Sequence, residues 1–173
     1  DKPDIQQYRI DLDGRDKKLD TLAALLNAGG YERAIAFCNT KNMADRLAAL
    51  LQMRHISCRA IHGDIQQRVR EKTLQKFRDG QLRVLVATDV AARGLDIDDV
   101  DAVFNYDIPD HNEDYVHRIG RTGRAKRHGV AFSLESTVTE SLRMDDIAKN
   151  TGNNIRRVCF NANGDLVAAV EKK

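Results

Sequence analysis

The chain has 173 residues, 42% hydrophobic and 31% charged, with 28 basic against 26 acidic side chains and a formal charge of +2. That is the profile of one globular domain with a solvated surface; it speaks against a disordered chain, a membrane partner and a surface that binds polyanions through bulk charge. Cys38, Cys58 and Cys159 are odd in number and contain no Cys-x-x-Cys pair, so neither a disulfide framework nor a zinc site is expected, and a reducing cytoplasmic setting (nuclear in a eukaryote) fits.

The opening DKPDIQQYRIDLDGRDKK is polar, unlike a signal peptide, and IQQYRI within it reads as a strand. KKLDTLAALLNAGG follows, with Leu19, Leu22, Ala23 and Leu26 on one helical stripe that Gly29 or Gly30 can end. RAIAFC is a strand, and TKNMADRLAALLQM a helix with Met43, Leu47, Leu50 and Leu51 together. SCRAI is the next strand, and QRVREKTLQKFRDG a helix that groups Val69, Thr73, Leu74 and Phe77 and stops at Gly80. RVLVAT and DAVFNY are apolar without alternation, the pattern of parallel strands buried on both faces. Tyr115, Val116 and Ile119 form a short buried stripe that Gly120 breaks. After GVAFSL, Thr137 with Glu140 makes a capping box for a last helix running towards Asn150.

This alternation predicts an α/β domain over residues 1–150, a mainly parallel sheet with helices on both faces. Residues 151–173 are expected to be a tail or the start of an accessory segment. Asn163-Gly164 lies between two apolar runs there, a hairpin signal, and a helix from Asp165 onward fits almost as well. Ligands of such sheets sit outside the carboxyl ends of the strands. The polar stretches NTK, HGD, TDVAARGLD and DIPDHNEDY, each following a strand, are therefore where chemistry is sought.

There is no GxxxxGK[ST] loop, no acidic pair after a strand to hold Mg²⁺, and no Gly-x-Ser-x-Gly elbow. Cys38 ends a strand before a helix, but a phosphatase-like loop needs arginine where Ala44 stands, so a small buried hydrophobe is the better reading. The Thr88 hydroxyl suits a phosphate or its own helix start, and Asp96 a ribose hydroxyl or an ordinary turn cap. Gln67 and Arg70 share one face of a first helical turn, as a phosphate-backbone contact or as a solvated face. HRIGRTGR, His117–Arg124, is harder to explain blandly, because surface arginines paired with Asp110, Glu113 or Asp114 would contribute only roughly 0–1 kcal/mol each.

RAIAFCNTK, HGDIQQRVR, VLVATDVAARGLDI, FNYDIP and YVHRIGRTGR, in that order, resemble the motifs of the second RecA-like domain of DEAD-box ATP-dependent RNA helicases. The likeness covers about residues 5–150. It implies a RecA-like three-layer fold, with Arg121 and Arg124 as arginine fingers on the γ-phosphate of ATP, Asp96 as the ribose contact, and His117 as the link to the catalytic motifs of a partner domain. It places Asn39, Thr40, Lys41, Gly63, Gln67, Arg70, Thr88 and Gly94 against the RNA sugar-phosphate backbone, and makes Arg93 and Arg118 structural or coupling residues. The family's P-loop and Mg²⁺ motif belong to an N-terminal RecA-like domain, which becomes an implied partner; protein cofactors are possible further ones. Ala125-Lys126-Arg127 stands where the family often has Ala-Gly-Arg. The expectation is the C-terminal half of an ATP-dependent RNA helicase, inactive alone, with its two fingers exposed and idle. The alternative is a non-catalytic RNA-binding or protein-docking module.

Overall fold

The computed structural model of the chain describes residues 4–123 and 128–169. Strands β1 (Asp4–Asp11), β2 (Ala34–Phe37), β3 (Cys58–Ile61), β4 (Val84–Ala87), β5 (Ala102–Asn105), β6 (His128–Glu135), β7 (Ile155–Phe160) and β8 (Leu166–Ala168) form one sheet. Its order is β3-β4-β2-β5-β6-β1-β7-β8. Every pairing is parallel except β7 with β8. The helices are α1 (Lys17–Gly29), α2 (Lys41–Met53), α3 (Gln67–Arg78), α4 (Asp89–Arg93), α5 (Asn112–Ile119) and α6 (Val138–Thr151).

The unbroken apolar strands are explained by their two covered faces. In β2, Ala34 and Ala36 point into a core shared with α1 and α2, while Ile35 and Phe37 point into a second core shared with α3, α4, α5 and α6. Val84 and Val86 of β4 alternate with Leu85 and Ala87 in the same way. The result is the three-layer architecture expected from the alternation of elements.

The helix boundaries follow local chemistry. Gly30 ends α1 and Gly152 ends α6, both in the left-handed region. The Thr137 hydroxyl accepts the Glu140 N–H at 3.0 Å, as a capping box requires, but the Glu140 carboxylate turns to the Ser136 N–H and to Lys18 rather than back to Thr137. Two expected core positions are open: Val69 is 49% and Val116 46% exposed, because the stripes of α3 and α5 are centred on Thr73, Leu74 and Phe77 and on Tyr115 and Ile119. In the tail the hairpin prevails over the helix. Asn163-Gly164 turns the chain, Gly164 takes φ +81°, and β7 extends the sheet by pairing with β1.

The register levels the functional edge. Ile61 of β3 pairs with Ala87 of β4, Ala87 with Phe37 of β2, and Phe37 with Asn105 of β5. Four strands therefore end side by side, and their following loops share one rim.

Candidate functional site

The rim is organised around Arg118, which α5 delivers into the protein with 1% exposure. All five of its N–H groups are accounted for. Nε and Nη2 grip both oxygens of Asp89 at 2.7 and 2.8 Å; Nη1 donates to Asn105 Oδ1 and to the Asp107 carbonyl at 3.3 and 2.7 Å; Nη2 also donates to Asn39 Oδ1 at 2.8 Å. The guanidinium lies 5.1 Å from the centre of the Phe37 ring. One side chain thus ties the loop after β2, the start of α4, the end of β5 and α5 into one body, with the fork geometry that lysine lacks. Asp89, Asn105 and Asp107 lie within VLVATDVAARGLDI and FNYDIP, but nothing in those stretches says that one arginine gathers them. Asn105, a polar residue closing the apolar run of β5, is fully buried with its amide on Ser133.

Asn39 is part of this scaffold. Its carbonyl oxygen accepts from Arg118, its amide donates to the Ile108 carbonyl, and its backbone N–H reaches Asp107. Thr40 caps α2 by accepting the Met43 N–H at 3.1 Å, which leaves its hydroxyl proton free to donate. Lys41 is exposed and pairs with Asp64 at 3.1 Å, joining the loops after β2 and β3. Gly63 is exposed, with nothing within 4 Å of where a Cβ would stand, so its backbone can be closely approached. Gln67 opens α3 and bonds Glu71; Arg70 donates to the His62 carbonyl, and its Nε is buried without an acceptor. His62 is buried: its Nδ1 accepts the Asp64 N–H, which leaves Nε2 to donate to Asp45 at 2.8 Å. Thr88 makes no cap bond to α4, and Gly94 ends that helix at the surface.

Arg121 differs most from expectation. It is half-buried rather than idle: Nη1 donates to the carbonyls of Leu95 and Ile97 at 2.6 and 3.2 Å, and Nη2 to that of Ala92 at 2.6 Å. These carbonyls end α4 and flank Asp96, whose carboxylate is exposed. Nε and one hydrogen on Nη2 have no acceptor among the described residues, so the guanidinium is fixed in place and still offers two donors. The segment behind it is held rigidly. Thr122 is fully buried, bridges Val100 in parallel and donates to its carbonyl. Gly123, at φ +73°, lies where a Cβ would stand 2.7 Å from Ile5 and 2.9 Å from the Asp4 carbonyl, so glycine is required. His117 is exposed and borders a small cleft with Phe37, Asp89, Arg93 and Arg121. Arg93 pairs with buried Asp114 at 2.6 Å. Arg124 and the Ala125–Arg127 stretch lie outside the described residues.

Donor chemistry decides what fits. A guanidinium with two open N–H groups suits a phosphate, and the exposed Asp96 carboxylate, on the segment whose carbonyls hold Arg121, suits hydroxyl donors. Mg²⁺ finds no such match: among the described residues no group of three or more His, Cys, Asp or Glu could hold a metal ion. Cys38 is fully buried and its thiol is pushed far up, chiefly by burial, which bears out the inert reading. No helix among the described residues is long and apolar enough to cross a membrane.

Comparison with known proteins finds relatives in sequence and in fold. The profile of the helicase conserved C-terminal domain matches residues 17–126. The chain is 46% identical over 156 residues to the DEAD-box ATP-dependent RNA helicase CshA of Bacillus cereus, covering 90% of this chain and 29% of that protein. It therefore spans less than a third of that helicase's length. The solved C-terminal domain of the DEAD-box protein Dbp5 superposes with a TM-score of 0.82 at 35% identity, covering 89% of each chain. Dbp5 of S. cerevisiae bound to RNA and ADP BeF3 gives 0.83 at 35% identity, covering 89% of this chain and 41% of that one.

Proposed function

This chain is the RecA-like C-terminal helicase domain of a DEAD-box RNA helicase, and from that premise we propose that it forms one wall of a composite ATP site and one half of an RNA cleft. An N-terminal RecA-like domain of the same protein supplies the opposite wall, with the P-loop and the Mg²⁺ ligands that this sequence lacks. The observation that carries the reading is the placement of Arg121: a guanidinium anchored by the two carbonyls that flank Asp96, with two donors still open.

ATP, when bound, supplies the γ-phosphoryl group, on which negative charge is redistributed during transfer to water. Asp96 accepts from the ribose hydroxyls, and Arg121, joined by Arg124, directs its donors at the phosphate. A pre-positioned donor needs no reorganisation at the moment of reaction, which is where electrostatic catalysis is strongest. His117, beside the same cleft, contacts the partner domain. Asn39, Thr40, Lys41, Gly63, Gln67, Arg70, Thr88 and Gly94 line the RNA side. Thr40 and Thr88 offer hydroxyls, Gly63 and Gly94 open backbone, and Lys41, Gln67 and Arg70 polar or cationic heads. Contacts of this type track the sugar-phosphate backbone and carry no base sequence. Hydrolysis then couples closure of the two domains on RNA to local separation of short duplexes.

Substituting Arg121 and Arg124 in the two-domain protein tests this. ATP hydrolysis is expected to fall on the order of 10³-fold or more, as for other arginine fingers, while RNA affinity without nucleotide stays near wild type. A fall in RNA affinity with a shallower salt dependence, at unchanged hydrolysis, would instead mark an RNA-binding module.

A further inference from the structure

A second feature of the rim belongs to neither set of residues. A cavity of about 690 Å³ opens at the carboxyl ends of β2 and β5, on the side covered by α1 and α2. Arg15 and Arg46 stand in its wall, with Thr40, Met43, Leu50 and Tyr106. Both arginines are exposed, and neither guanidinium has a hydrogen-bond or ion-pair partner among the described residues. Exposed Arg54 and Arg93, by contrast, pair with Asp20 and Asp114; Arg68 and Arg156 are also open, and what sets Arg15 and Arg46 apart is that both face one cavity.

The carboxylates around the cavity are mostly committed. Glu140 holds the buried Lys18 ammonium at 2.8 Å, and Lys18 also donates to the Tyr106 carbonyl. Asp107 accepts the Asn39 N–H at 2.9 Å. Asp16 is the remaining acid, against two open guanidiniums. Tyr106 lines the same cavity as both arginines; burial pushes its phenol up to about 12, and Arg46 and Arg15 oppose that rise. Met43 and Leu50 supply an apolar wall beside the cations, the mixed surface that a nucleoside with its phosphate requires.

Thr40 lines this cavity and also belongs to the proposed RNA side. We propose that the cavity receives the adjoining nucleotides of the RNA strand that crosses Thr40, with Arg15 and Arg46 holding their phosphates. The inference rests on the RNA reading of the rim and extends it to the α1 side. RNA is favoured over an acidic protein segment because the cavity is continuous with Thr40 and combines an apolar wall with paired cations.

The test measures binding of the 173-residue chain to a short and a longer oligouridylate by fluorescence anisotropy across a salt series. The variants are Arg15→Gln/Arg46→Gln and, separately, Lys41→Gln, with thermal melting to confirm folding. For the double variant, the salt slope on the longer strand becomes shallower by about 1.4, or ~0.7 for each phosphate no longer neutralised by an arginine, and the short strand is unaffected. Lys41→Gln weakens both strands. If Lys41→Gln weakens both while the double variant keeps the wild-type slope on both, the inference is overturned and the RNA side stands. If neither variant changes affinity or slope, both fall. Wild-type binding that is no tighter for the longer strand also overturns the inference.

Discussion

Replacing Arg118 by methionine removes the cation that joins four segments of the rim while keeping a long apolar stem, so no large cavity confounds the result. Asp89 then loses both charged hydrogen bonds, and Asn39, Asn105 and the Asp107 carbonyl each lose a donor. Removing one partner of a buried ion pair costs roughly 3–5 kcal/mol because the other charge is left uncompensated. Asp89 retains 20% side-chain exposure and can be partly rehydrated, which places the loss near the lower end, at about 3 kcal/mol. For a chain of this size that lowers the melting temperature by roughly 6–12 °C. Urea denaturation of Arg118→Met, Asp89→Ala and the double variant measures it. The double variant should be at least ~0.5 kcal/mol more stable than additivity of the single losses predicts, the mark of coupled partners. A loss below about 0.5 kcal/mol for Arg118→Met, the range of ordinary surface changes, would refute the hub.

The Glu135 carboxyl is 1% exposed and is raised from 4.5 to about 7 by burial and by Asp11, against the opposing Arg9 guanidinium. It binds its proton more tightly in the folded than in the unfolded chain, so its contribution to stability is present below pH 4.5 and is lost as pH rises towards 7. Denaturation across that window should show a fall that Glu135→Gln lacks; identical pH profiles would contradict it. Cys38 and Cys58 are buried and Cys159 is half-buried. Iodoacetamide near pH 8, where a free thiol is partly ionised, should label Cys159 in the native chain and reach Cys38 only on unfolding. Rapid native labelling of Cys38 would reopen the nucleophile reading.

The sheet was legible because its strands are buried on both faces: RAIAFC and RVLVAT have no polar positions in mid-run to mislead. Helix ends were legible where glycine or a capping threonine stood, as at Gly30, Gly152 and Thr137. Local periodicity could not tell that Val69 and Val116 stay open, since that depends on what each helix packs against. The tail was ambiguous for a similar reason: its fate was decided by the free edge of β1, which lies far away in sequence. Motif order located the rim residues but not how they are held. Arg9, in the first strand, is buried on Glu135, 126 positions away. Arg121 reads as a free finger, yet it is anchored by carbonyls 24 to 29 positions earlier. Pairings across such separations leave no spacing signal in a single sequence.

On the proposed function, Arg121 acts only on a nucleotide held by a second RecA-like domain. RNA-stimulated ATP hydrolysis by the 173-residue chain, compared with that of a two-domain protein containing it, tests this most directly. Hydrolysis is expected from the two-domain protein, lost with Arg121→Lys, and none above background from the chain alone. RNA-stimulated hydrolysis by the chain alone, at a rate comparable to the two-domain protein, would contradict it.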